Sequence, residues 1–220
     1  MNIIRHIPNT ITSMNLLCGV LGVICTFNGD FSTAFCLMLA AAVCDFCDGL
    51  SARLLKAYSD VGKELDSLAD LISFGMLPAI MLHKLMTETG SSSILCCIPL
   101  VIVVLSAVRL AKFNIDERQT ENFIGLATPA CAMICGSFVY YVSQDSSSIL
   151  CSWASTAWFI PVGSVILSLL LVSEVPMFSM KFKKDSAPNI KWMRISFIAV
   201  SVVALAATLI LGQHFSHAVL

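Results

Sequence analysis

Charge is what this sequence has least of. Only 12% of its 220 residues are Asp, Glu, Lys or Arg, where a water-soluble domain carries about a quarter. With 57% hydrophobic residues and a mean hydropathy of +0.87, most of the surface cannot face water, which excludes an ordinary soluble fold. The net charge is −1, so no global field favours nucleic acid or another polyanion. A disulfide framework is missing as well. Most of the ten cysteines sit inside apolar runs (Cys18, Cys25, Cys36, Cys131, Cys135), where a thiol acts as a small hydrophobe. Cys44 and Cys47 form a C-x-x-C, but no second pair or histidine cluster completes a zinc site. There is no fixed-period repeat and no low-complexity segment. Met1 to Asn9 lacks the small-residue cleavage site of a secretory leader, so no removed signal peptide is expected there.

What the sequence does have is apolar runs long enough to cross a hydrocarbon core about 30 Å thick. They lie at 11–28, 31–55, 64–86, 94–112, 123–142, 153–173 and 192–212, and predict an all-α bundle of membrane helices. The whole chain, 1–220, reads as a single integral membrane domain. Residues 1–10 are expected to lie along the interface, with Ile3, Ile4 and Ile7 around Arg5 and His6 and a break at Pro8. With the N-terminus inside, all of the 13 basic residues except Lys84 fall on the inner side. Basic residues collect in cytoplasmic loops, so the reading is a multi-pass protein of the cytoplasmic membrane.

Carboxylates inside a membrane are costly and point to function. Asp45 and Asp48 are three apart near the inner end of the second span, and Asp66 and Asp70 are four apart near the start of the third. Residues at those spacings share a helix face, so two pairs can face each other across one hairpin. Four such acids repel unless a cation sits among them. All-oxygen ligation suits Mg²⁺, Mn²⁺ or Ca²⁺, and Mg²⁺ commonly completes its shell with substrate phosphates. The residues between the pairs agree with phosphoryl chemistry. Gly49, Ala52 and Gly62 permit close approach of a ligand, and Arg53 offers a bidentate fork to phosphate. Two rival readings are acids paired with Arg53 and Lys63 for stability, and a cation or proton transporter. The cytoplasmic-edge position of the acids and the lack of an inverted repeat argue against transport.

The run from Asp45 to Asp70 reads D-x2-D-G-x2-A-R-x8-G-x3-D-x3-D. It resembles, at every fixed position, the motif of the CDP-alcohol phosphotransferase family. The resemblance implies a six-helix core, here 11–173, followed by an additional helix at 192–212. It also implies a homodimer, transfer of a phosphatidyl group from a CDP-linked donor to an alcohol, and release of CMP. Asp45, Asp48 and Asp66 are then metal ligands. Asp70 is then the general base and a further ligand, with two Mg²⁺ or Mn²⁺ ions per site. Pro8, Asn9, Thr10, Gly49, Ala52, Arg53, Ser59 and Gly62 are expected around the nucleotide and pyrophosphate.

Outside the motif the chain is similar to the phosphatidylserine synthase subgroup of bacteria and archaea. Ile7-Pro8-Asn9-Thr10-Ile11-Thr12 with Asn15 and Gly19, Arg109 to Asn114, and Phe123 to Leu126 with Pro129 carry this likeness. It implies CDP-diacylglycerol and L-serine as substrates, with glycerol 3-phosphate or inositol phosphate as the alternative acceptors. Lys112 and Ala127 depart from the subgroup's usual Arg and Pro. Arg109, Lys112 and Asn114 are the candidates for the acceptor pocket, since a zwitterionic serine needs a cation for its carboxylate. Arg109 and Lys112 are expected to share a face of the fourth span. His83 reads as a packing residue, and His214-x-x-His217 as a tail without further ligands.

Overall fold

In a bilayer an apolar run must satisfy its own backbone, and a helix does so. The computed structural model describes residues 6–57, 59–115, 125–145 and 149–173. All belong to the first of two units into which the chain divides, Met1–Met177 and Phe178–Leu220. Residues 1–5 of the expected interfacial segment, the expected span at 192–212 and the two terminal histidines lie outside the described residues.

The described chain is helical and contains no strand. Helices α1 (His6–Phe27) and α2 (Phe31–Leu54) form a hairpin. A continuous rod follows, made of α3 (Asp60–Asp70), a π-helical stretch (Leu71–Met76) and α4 (Leu77–Glu88). Then come α5 (Ser93–Cys96), a 3₁₀ turn (Ile98–Leu100), α6 (Val101–Ile115), α7 (Thr128–Gln144), α8 (Ile149–Ala154) and α9 (Phe159–Val172). Four rods, His6–Phe27, Phe31–Leu54, Asp60–Glu88 and Ile94–Ile115, are long and apolar enough to cross a membrane, which makes this a multi-pass membrane protein.

Local chemistry explains most of the boundaries. The Asp30 carboxylate accepts from the Thr33 amide (2.9 Å) and caps α2, satisfying a donor that a helix start leaves free. At the other end of α2 the amide of Lys56 donates to the Arg53 carbonyl (3.3 Å), and that of Ala57 to the Ala52 carbonyl (3.0 Å). This is a Schellman closure, with Lys56 at φ 50 in the place usually held by glycine. Ser59 starts α3, its hydroxyl accepting from the Gly62 amide (3.0 Å).

Four boundaries differ from expectation. The break at Pro8 does not occur, because Pro8 lies within α1 as described from His6 to Phe27. The third rod starts at Asp60 instead of 64. In the fifth apolar run the helix, α7, starts at Thr128 instead of 123, after an extended Ala127 and with Pro129 in its first turn. The sixth run is divided by a turn between α8 and α9.

The Asp60–Glu88 rod is central, packing on α1, α6 and α7. Its Phe74, Leu77, Met81 and Met86 are buried with Met38, Ile102 and Val139 in one core. The side of α1 turned inward carries Pro8, Thr12, Asn15, Gly19, Gly22 and Thr26. Small residues there let helices touch, which drives association in lipid. At Gly19 a Cβ would strike the Ser73 hydroxyl and lie 2.9 Å from its Cα.

Candidate active site

Asp45 and Asp48 come from α2, Asp66 and Asp70 from α3, and the hairpin brings all four together. One carboxylate oxygen from each of Asp45, Asp48 and Asp66 lies within 4.8 Å of the others. Asp48 is buried, only 5% exposed. Buried Asp48 Oδ2 and Asp66 Oδ1 have no hydrogen-bond partner, although a buried anion normally requires one. Pairing with basic residues does not supply it. Among the described residues the ion pair present is Lys84–Glu88. Lys63 instead donates to the Asn114 carbonyl (2.9 Å), and Arg53 is exposed. Three clustered hard oxygen donors with unpaired atoms and no organic counter-charge fit a divalent cation. The stability reading of the acids is thereby overturned.

Asp70 has different company. Asn15 Nδ2 donates to its Oδ1 at 3.3 Å, and Asp45 lies within side-chain contact. The Thr12 hydroxyl, which donates to the Pro8 carbonyl (3.0 Å), sits beside Asp48.

A cavity of about 230 Å³ opens over Asp48 and Asp66. Its walls contain Pro8, Asn9, Gly49, Ala52, Arg53, Ser59 and Gly62, which is the set expected around the nucleotide with Thr10 left out. Thr10 is exposed and its hydroxyl donates to the His6 carbonyl (2.9 Å), one turn back along the same helix. Thr12, Ala57 and Lys63 also line the cavity. At Gly49 a Cβ would meet nothing within 4 Å, so its hydrogen leaves open space for a ligand. At Gly62 a Cβ would fall 2.7 Å from Asn9 Oδ1 and 2.9 Å from Ser59 Oγ. That glycine lets α1 approach the start of α3.

The three acceptor candidates do not share one surface. Arg109 is buried, 9% exposed, and donates from Nη1 to Thr128 Oγ1 (2.8 Å), leaving Nε unpaired. Lys112, one turn further, is exposed, which corrects the expectation of a shared face. Asn114 binds α3, its Nδ2 donating to Ser67 Oγ (2.9 Å) between the two α3 aspartates. His83, by contrast, packs as expected, its Nδ1 2.7 Å from the Cys96 carbonyl oxygen.

Sequence reasoning did not place Thr12, Asn15, Ser67 or Thr128 in roles of their own. A signal was present for the first two. In a lipid-spanning helix the polar side chains turn inward, and Thr12 and Asn15 stand three apart on one face of α1.

Residues 5–170 match the family described as CDP-alcohol phosphatidyltransferase. The CDP-diacylglycerol–serine O-phosphatidyltransferase of Bacillus subtilis is 31% identical over 188 residues, covering 85% of this chain and 97% of that protein. A protein of the same description from Mycobacterium tuberculosis is 30% identical over 212 residues, 91% of this chain and 70% of its own. The archaetidylserine synthase of Methanothermobacter thermautotrophicus is 33% identical over 134 residues, 60% of this chain and 57% of its own.

Proposed function

Because this chain belongs to the CDP-alcohol phosphatidyltransferase family, we propose that it transfers the phosphatidyl group of CDP-diacylglycerol to L-serine, giving phosphatidylserine and CMP. The observation that carries this reading is one juxtaposition. Asp48 and Asp66, each with an unpaired buried oxygen and clustered with Asp45, floor a cavity whose walls hold the small residues and the arginine of the family motif. The names of the relatives supply the donor and the acceptor.

Asp45, Asp48 and Asp66 would hold the divalent ion, Mg²⁺ or Mn²⁺ and two ions when Asp70 takes part, which supplies charge neutralisation at the pyrophosphate and the departing CMP. The chain's own residues do the rest. Gly49 and Ala52 admit the nucleotide to the backbone of α2, and Arg53 offers its guanidinium to phosphate oxygens. Pro8 and Asn9 close the cavity from α1. Asp70 takes the proton of the serine hydroxyl as that oxygen attacks the distal phosphorus in line. The bond from that phosphorus to the CMP oxygen breaks, and CMP leaves. Arg109, buried and with one donor unpaired, is the group best suited to the serine carboxylate. The acyl chains of the donor stay in the bilayer.

The excess of basic residues on one side supports a cavity on the cytoplasmic side of the cell membrane, and the family's usual state supports a homodimer.

The test is CMP release from the purified protein given CDP-diacylglycerol and Mn²⁺ with serine, glycerol 3-phosphate or inositol phosphate in turn. Release with serine above the others is expected. No release with any acceptor would sink the transferase reading, and release with glycerol 3-phosphate alone would sink only the choice of serine.

A further inference from the structure

Asn15 is a polar residue in the middle of an apolar helix, 0% exposed, and packing alone does not account for it. Its Nδ2 donates to Asp70 Oδ1 at 3.3 Å, while its own Oδ1 is buried without a partner. An apolar side chain of like volume would bury no unpaired acceptor there, so the residue is a liability for stability. Its backbone is committed as well, since the Ser73 hydroxyl donates to the Asn15 carbonyl at 3.0 Å. Ser73 lies in the π-helical stretch Leu71–Met76 that begins directly after Asp70. Local π turns depart from the regular helical ladder and are frequent at functional sites. Gly19, one turn along α1, provides the space that lets Ser73 sit so close. Helix α1 therefore grips the Asp70 segment at two points, the carboxylate itself and the turn that follows it. An ionised carboxylate only accepts hydrogen bonds, so the amide nitrogen has to face Asp70, which fixes how the Asn15 side chain is turned.

From these contacts we infer that Asn15 is a positioning residue for the reaction: it fixes the Asp70 carboxylate in the orientation from which it takes the acceptor's proton. This rests on the proposed role of Asp70. Orientation of a reacting group affects the chemical step and leaves ground-state binding of the substrates largely alone. The experiment is steady-state CMP release by the purified full chain with CDP-diacylglycerol, serine and Mn²⁺. Asn15→Asp preserves the size of the side chain and replaces the fixed amide donor by a carboxyl that competes with Asp70 for a proton. It is expected to lower kcat by about 30-fold or more, with KM for both substrates and the Mn²⁺ requirement within about 3-fold of the parent. Ser73→Ala removes only the backbone tether and should show the same split at about 3- to 10-fold. It decides the matter should Asn15→Asp fail to fold. A kcat near the parental value in the folded variants, or a loss carried by KM or by the Mn²⁺ requirement, overturns the inference. Asp70→Asn is measured beside them. If Asp70→Asn is inactive and Asn15→Asp is near parental, the positioning role alone has failed. If Asp70→Asn itself turns over at the parental rate, the base assignment has failed and this inference with it.

Discussion

Asp45 and Asp48 sit on a helix only 22% buried along its apolar stretch, whereas Asp66 and Asp70 belong to a rod that is 56% buried. Both helices deliver carboxylates to one cavity, but they hold them differently. Helix α2 is peripheral, with Phe46, Leu50 and Leu54 facing outward and exposed. What it offers the site is a pair of acids and two small residues, with Asp48 beside Thr12 of α1 and Asp45 beside Asp70 of α3. The central rod is gripped from two sides. Asn15 of α1 holds Asp70, and Asn114 of α6 holds Ser67. The acids left with unpaired oxygens, Asp48 and Asp66, are the ones suited to an ion. Asp70, held by Asn15 at its Oδ1, is the acid to which the proposed function gives the proton transfer. On the proposed function, the cluster of four aspartates would divide into ligands and a base.

Substitution of the acids breaks this division most severely. Asp70→Asn is expected to lower the rate of CMP release by about 10³-fold, within the 10²- to 10⁴-fold range of general base catalysis. The Mn²⁺ concentration for half-maximal rate should move much less. Asp48→Asn and Asp66→Asn should show the opposite emphasis. Residues that merely support a metal ligand cost 10- to 100-fold in affinity or activity, so loss of a ligand should raise the Mn²⁺ requirement by more than about 100-fold. Equal Mn²⁺ dependence in all three variants would erase the distinction. Chelation of the protein should abolish release, and Mn²⁺ should restore it.

The two glycines of the cavity sharpen the same comparison from the substrate side. Alanine is favoured over glycine in a helix by about 1 kcal/mol. Gly49→Ala on the peripheral helix meets no atom and should gain most of that in thermal unfolding of the solubilised protein. Gly62→Ala puts a methyl 2.7 Å from Asn9 Oδ1 and 2.9 Å from the Ser59 cap. Overpacking of this kind costs about 1–3 kcal/mol, enough to cancel the gain. Both should raise the KM for CDP-diacylglycerol, since both line the cavity proposed for the donor. An unchanged KM in both variants would remove these walls from the donor site.

The sequence made the acids, the small residues between them and the run of apolar helices legible because each signal is local. A carboxylate in a lipid-spanning run is costly wherever the helix lies, and spacings of three and four set a face without any tertiary context. The π-helical stretch after Asp70 was not legible, because it takes shape where α1 and α6 press on Ser73 and Gly75. Nor was the separation of Arg109 from Lys112. Residues three apart differ by about 60° around a helix, and the edge of the buried face of α6 falls between them. Only the partner helices decide where that edge lies. The same holds for Thr10, which the family resemblance puts beside the nucleotide but which stands exposed on α1.

The smallest effect is expected far from the chemistry, at the other end of α2. There Asp30 is exposed, and its hydrogen bonds from the Thr33 side chain and backbone hold its carboxyl below the ordinary value near 3.8. A carboxyl whose folded pKa is depressed adds stability above its unfolded pKa and loses it as pH falls through the lower folded value. Asp30→Ala should therefore lower the unfolding temperature slightly at neutral pH, and the gap to the parent should close in strong acid. Asp30→Asn keeps a capping oxygen and carries no titrating proton, so its difference from the parent should change with pH only in that acid range. CMP release should stay at the parental rate in both variants, because the cap shapes the end of α2 remote from Asp45 and Asp48. If Asp30→Ala melted with the parent at neutral pH, the cap would hold nothing. If it lost CMP release while remaining folded, the two ends of α2 would be coupled, and the peripheral helix would be less passive than its exposure implies.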